Sequence, residues 1–150
     1  MRSKIVLLLI TALYIIIYFN RVGEWRRDAV AFQWDKAFYY QYLPAIFIYD
    51  DIDNLSFFYP MNEKYRFTGN ALIEPGYRQP TGRVLNKYPV GTAIMEFPFF
   101  LIAHTYTYYN EDDARDGFSY PYQQSVAFSN IFWAAMGLLM IWLTLRRRYT

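Results

Sequence analysis

Trp34-Asp35-Lys36-Ala37-Phe38-Tyr39-Tyr40-Gln41-Tyr42-Leu43-Pro44 sets one carboxylate among aromatic rings, a short way beyond an apolar N-terminal run. Trp34, Phe38, Tyr42, Ala45 and Tyr49 recur at helical spacing, which predicts an amphipathic helix with an aromatic face. Pro44 breaks or kinks that helix, or opens a second short one at its first turn. Two readings of Asp35 follow. In one, it caps a helix that carries a packing face. In the other, it lies where the chain leaves a membrane, walled by rings that suit the interface, and acts on a lipid-borne substrate.

Upstream, Ile5 to Asn20 runs uncharged for about 16 residues, roughly 24 Å of helix against a hydrocarbon core of roughly 30 Å. Lys4 and Arg21 can snorkel, and Tyr14, Tyr18 and Phe19 can sit at the far interface, so spanning is feasible. A cleaved signal peptide is the rival reading. The exit Tyr18-Phe19-Asn20-Arg21 is bulky and charged and offers no small-x-small site, so a retained helix with a cytoplasmic N-terminus is expected. Asp28, beside Arg26 and Arg27, reads as an ion-pair partner.

Downstream, Asp50, Asp51 and Asp53 close the amphipathic helix, which is expected to lie on the membrane surface. Such an acidic cluster can hold a divalent metal, although carboxylates in turns are commoner. Asn54 to Lys87 is punctuated by Pro60, Gly69, Pro75-Gly76, Pro80 and Gly82 and reads as mostly loop. Arg83 and Lys87, four apart, form either a solvated surface or a phosphate clamp. Tyr88 to Tyr109 is apolar apart from Glu96 and His104, with prolines at 89 and 98; His104 reads as a structural hydrogen-bonding residue. Ser125 to Leu145, about 21 residues, is long enough to cross, and Arg146-Arg147-Arg148 closes it.

Composition agrees with a membrane protein. Aromatics make up 22% and apolar residues 55% of 150 residues, yet mean hydropathy is −0.02, so the apolar residues stand in blocks. A net charge of +2 is too small to suggest nucleic acid. With no cysteine and one histidine, disulfides, zinc–thiolate sites and multi-histidine metal sites are excluded. The positive-inside rule puts both basic ends on the cytoplasmic side, which requires an even number of crossings. The expected fold is therefore an all-α membrane protein in one module. Transmembrane helices at 5–20 and 121–145 flank an outer region, 21–120, with interfacial helices near 34–49 and 88–109. Glu96 and the prolines argue that the last of these does not cross.

This order resembles the N-terminal part of the GT-C superfamily of membrane glycosyltransferases, most closely the lipid-linked-sugar enzymes related to protein O-mannosyltransferases and the aminoarabinose transferase. The residues that carry it are Asp35 followed by Tyr39-Tyr40 in the first outer loop, and Lys87-Tyr88-Pro89 opening an apolar helix that does not cross. Where some relatives carry a glutamate before the lysine, this chain has Asn86. The resemblance covers nearly all of the chain but only the start of the family's fold. It implies a bacterial inner-membrane enzyme that moves a sugar from a polyprenyl-phosphate carrier on the outer face, without a cofactor. Asp35 would be the base, Lys87 the phosphate partner with Arg83 behind it, and Tyr39 and Tyr40 the lining of the sugar pocket. Membrane lipid and further C-terminal helices would be its partners. The alternative is a non-catalytic membrane subunit or anchor that docks another protein through its aromatic outer region.

Overall fold

The computed structural model describes residues 2–23, 30–69, 71 and 74–149. Six α-helices follow one another: α1 (Arg2–Gly23), α2 (Asp35–Tyr40), α3 (Tyr42–Phe47), α4 (Phe58–Tyr65), α5 (Gly91–Tyr109) and α6 (Tyr120–Tyr149). A 3-10 turn at Val30–Phe32 precedes α2. The strands β1 (Tyr77–Arg78) and β2 (Val84–Leu85) pair antiparallel, Tyr77 opposite Leu85. The fold is mostly helical, and this hairpin departs from the expected all-α class.

Of the alternatives at Pro44 the helix-opening one holds: the run over 34–49 is two helices broken at Gln41, and α3 carries Pro44 in its first turn, where a missing N–H costs nothing. The stretch 54–87 is mostly loop, as expected, with α4 added, which carries Pro60 in its first turn.

Among the described residues one helix, α6, is long and apolar enough to cross a membrane, over Tyr120–Arg148. The apolar run of α1, Ile5–Ile17, is shorter. α1 lies against α6, and α6 packs along α5. Trp133 Nε1 ties those two helices by donating to the Met95 carbonyl at 3.0 Å, in the turn that leads to Pro98.

The core is aromatic and lies between the 3-10 turn at Val30–Phe32 and the start of α6. Phe32, Tyr40, Phe67 and Phe118 are fully or almost fully buried. Phe32 and Tyr40 stand 4.3 Å apart, and Phe67 and Phe118 4.7 Å. Fully burying a side chain of this size contributes about 1.5–3 kcal/mol, so four such rings from four parts of the chain close the unit. Tyr40 donates its hydroxyl to the Gly117 carbonyl at 2.6 Å, across 77 residues. Asp116 gathers the same region: it accepts from Lys64 at 2.7 Å, from the Tyr65 hydroxyl at 2.5 Å, and from the amides of Phe118 and Ser119 at 2.9 Å each. His104 is structural as expected of its type, bonding the Tyr122 hydroxyl at 2.7 Å and stacking on Phe100.

Candidate functional site

α2 begins at Asp35, and the chain before it turns sharply: Trp34 adopts a positive φ of 53° while its amide donates to the Phe67 carbonyl at 2.9 Å. Asp35 is therefore exposed in the first turn of a helix whose other face, Ala37, Phe38 and Tyr40, is buried. Its carboxylate is not used as a cap. It accepts a short hydrogen bond from the Tyr88 hydroxyl, 53 residues further along.

Tyr88 reaches Asp35 because Pro89 keeps it out of the helix that follows; the residue before a proline is driven to extended backbone. The segment is then stitched to α2 and α3. Asn86 donates to the Phe38 carbonyl at 2.7 Å and accepts from the Tyr88 amide at 3.1 Å, while Tyr42 donates to the Tyr88 carbonyl at 2.5 Å. The Tyr88 ring stacks on Phe38 at 5.4 Å with an interplanar angle of 6°, and meets Tyr39 edge-on at 4.7 Å. The hydrogen bond to the Asp35 carboxylate is the main cause that pushes the Tyr88 hydroxyl up to about 12, with burial and the Asp35 charge adding to it. Tyr88 thus stays a donor at neutral pH.

Lys87 stands with its ammonium 5.1 Å from the centre of the Tyr88 ring, a cation–π distance. Among the described residues no carboxylate lies within 4.0 Å of it; the ion pairs there are Lys64–Asp116 and Arg83–Asp53. Lys87, Tyr88 and Phe38, with the segment from Glu74 to Tyr77, line a cavity of about 210 Å³.

Asp35, Tyr39 and Lys87 therefore converge around Tyr88, and two of the other expected residues do not join them. Tyr40 faces the opposite way and is 1% exposed within the core. Burial pushes its hydroxyl well above the ordinary tyrosine range, so it lines no sugar pocket. Neighbours on a short helix turn by about 100° per residue, and only Tyr39 of the pair faces Tyr88. Arg83 points away as well. Between it and Lys87 only Val84–Leu85 is strand; Val84 is buried, and Arg83 is exposed with its Nε 3.5 Å from Asp53. Asp28 and its arginines lie outside the described residues. Asp51 serves a turn, accepting from the amides of Asn54 at 3.2 Å and Ser56 at 2.7 Å. Among the described residues no group of three His, Asp or Glu side chains could hold a metal.

Sequence reasoning missed Tyr88, although the motif Lys87-Tyr88-Pro89 held the signal, since Pro89 fixes its backbone. Glu96 was read only as a charge too costly for a crossing; it is 7% exposed and turned into the protein, with Oε2 unpartnered. Burial pushes its carboxyl up to about 7, against the pull of the Lys36 charge from α2. No protein-family model, curated protein or solved structure matches this chain.

Proposed function

We propose that the chain is the N-terminal, outer-face module of an integral-membrane transferase of the GT-C kind, which moves a sugar from a polyprenyl-phosphate donor. α1 and α6 both cross a bacterial inner membrane, with both ends in the cytoplasm, and α5 lies along the outer interface. One observation carries the reading: Asp35 and the Lys87-Tyr88 segment, far apart in sequence, meet at one hydrogen bond beside a small aromatic cavity. Asp35 takes the proton from an acceptor hydroxyl as its oxygen attacks the anomeric carbon. The bond from that carbon to the phosphate oxygen breaks, and the electron pair leaves with the phosphate. Lys87 faces the charge that develops there. Tyr88 orients the carboxylate. A single displacement inverts the anomeric carbon.

In the full-length gene product, Asp35→Asn lowers transfer by about two to four orders of magnitude, the range for a lost general base, while membrane insertion is unchanged. Lys87→Ala also weakens transfer, and Asp28→Asn has little effect. Undiminished transfer in Asp35→Asn rejects the assignment. A second reading, a non-catalytic docking subunit, is supported by the exposed rings of Tyr106, Tyr108 and Tyr109 at one end of α5. Its weakness is that most rings of the outer region are buried in its own core. Full activity in both aspartate variants would favour it.

A further inference from the structure

α5 and the first turns of α6 leave a groove of about 320 Å³ between them. Two small lining residues, Ala103 and Ser125, are buried, whereas Ile102, Tyr106, Tyr120 and Phe128 are exposed. The small pair is therefore the floor and the large side chains are the walls. Ser125 turns its hydroxyl back on its own helix, donating to the Tyr122 carbonyl at 2.7 Å, so the floor presents no free hydroxyl. One lining residue is charged, Asp113. Asn110 Nδ2 holds it in place, donating to Asp113 Oδ2 at 3.1 Å and to the Tyr106 hydroxyl at 2.8 Å. Among the described residues Asp113 enters no ion pair; those present are Lys64–Asp116 and Arg83–Asp53. Arg115, two residues on, is engaged elsewhere, donating to the Thr107 and Tyr108 carbonyls at 2.7 Å each. From Phe128 the groove meets an apolar ridge, Phe132, Met136 and Met140, four residues apart along α6 and all exposed. That ridge belongs to the one described helix long and apolar enough to cross a membrane.

We propose that this groove seats one phospholipid whose head group carries a primary ammonium, as in phosphatidylethanolamine, with an acyl chain between α5 and α6 and the ammonium on Asp113. Two observations select this occupant. The groove runs into the apolar ridge of α6, so a chain lying in it continues along a surface of the same kind. Its charged residue is a carboxylate, which accepts charge-assisted hydrogen bonds from an ammonium. A quaternary ammonium brings the charge without the N–H donors, and an anionic head group is repelled. The seat is thus unsuited to a polyprenyl phosphate and stands apart from the donor site. Tyr106 and Tyr120 on the walls suit the level of the head groups. The inference rests on the part of the proposed function that takes α6 across the membrane; it is independent of the sugar chemistry.

The test is native mass spectrometry of the full chain released from nanodiscs that hold equal parts of phosphatidylethanolamine, phosphatidylcholine and phosphatidylglycerol. The chain should retain lipid in that order of preference, with ethanolamine over glycerol head groups by about two- to fivefold, the range for one exposed charge pair. Asp113→Asn should remove the preference while lipid is still retained. Asp112→Asn, a neighbouring exposed carboxylate that does not line the groove, should leave it unchanged. Ile102→Ala with Phe128→Ala, both on exposed walls, should lower total retained lipid. Equal retention of the three lipids by the unaltered chain, or an unchanged preference in Asp113→Asn, overturns the proposal. So does an equal loss in both aspartate variants, which would assign the preference to the acidic loop at large, or a lipid-free dimer, which would give the groove to a second copy. A reporter after Thr150 separates the two claims. Thr150 inside with no head-group preference leaves the crossing standing and rejects the seat. Thr150 outside with the preference intact rejects the crossing and leaves the seat.

Discussion

At the scale of the residue, Gly117 is required twice over, by its backbone conformation and by the space around it. Its φ is +82°, and a Cβ there would stand 2.8 Å from Pro44 Cβ and 3.1 Å from Ile48 Cδ1. The Gly117 carbonyl is also the acceptor for the buried Tyr40 hydroxyl. Gly117→Ala should therefore destabilise by about 1–3 kcal/mol from backbone strain, and by more if Pro44 cannot give way. Tyr40→Phe leaves a carbonyl without its donor and should cost about 1–3 kcal/mol. Thermal melts in detergent check both. Gly117→Ala keeps the carbonyl, so a double variant that loses less than the sum of the singles would show that the strain at residue 117 already weakens this bond. Tyr88 is different. Its bond to Asp35 is at the surface, so Tyr88→Phe should leave the melting temperature nearly unchanged while lowering transfer.

At the scale of the element, the seam between α2 and α5 carries a pH dependence. Glu96 is protonated more readily in the folded chain, near pH 7, than at its ordinary value of 4.5. Between those two values the folded state binds more protons than the unfolded state, so stability falls as pH rises from about 4.5 to about 7 and levels off above. The groups that face Glu96 across the seam are Lys36, whose charge opposes the shift, and the Tyr40 hydroxyl, whose own ionisation Glu96 disfavours. Melts of the unaltered chain should lose stability over that window by an amount of order a few kcal/mol, and Glu96→Gln should flatten the slope. A slope that survives the substitution would assign the effect to another group. A shift of this kind was not legible in the sequence, because helical spacing does not say which side of α5 turns toward α2. The helices themselves were more readable: the periodic run from Trp34 gave α2 and α3, and the block from Gly91 gave α5. The hairpin and α4 were not, since β1 and β2 are two residues each and the apolar stripe of α4, Phe58, Met61 and Tyr65, spans only eight residues.

At the scale of the whole molecule, two kinds of surface are joined. The middle of the chain packs many of its rings into a core, whereas α1 and the greater part of α6 expose apolar side chains: Leu8, Leu9, Leu13, Met140 and Ile141 are each more than half exposed. Apolar faces of that extent, on helices closed by arginines, match a lipid environment. Reporter fusions after Asn110 and after Thr150 should read opposite sides of the membrane, with Thr150 inside; the same side for both would mean that α6 does not cross. Charge and hydropathy made legible the one helix, among the described residues, that is long and apolar enough to cross a membrane. Of the residues named for the site, Asp35, Tyr39 and Lys87 meet around Tyr88. Its centre was not, because Tyr88 becomes a partner of Asp35 only once Asn86 and Tyr42 have pinned the linker, and those are contacts between distant parts of the chain.

The position of Phe118 in the core bears on the order of events during biosynthesis. The ring that fills the space between Phe32, Tyr40 and Phe67 lies two residues before α6. The 77 residues between Tyr40 and Gly117 take roughly 4–15 s to make at about 5–20 residues per second. Throughout that interval the earlier rings have no lid, and the outer region cannot close before its last helix has begun to leave the ribosome. Nascent chains arrested at Tyr109 should be cut by protease across the whole outer region, and chains long enough to place α6 in the membrane should resist. The ring that completes the core therefore also times its closure.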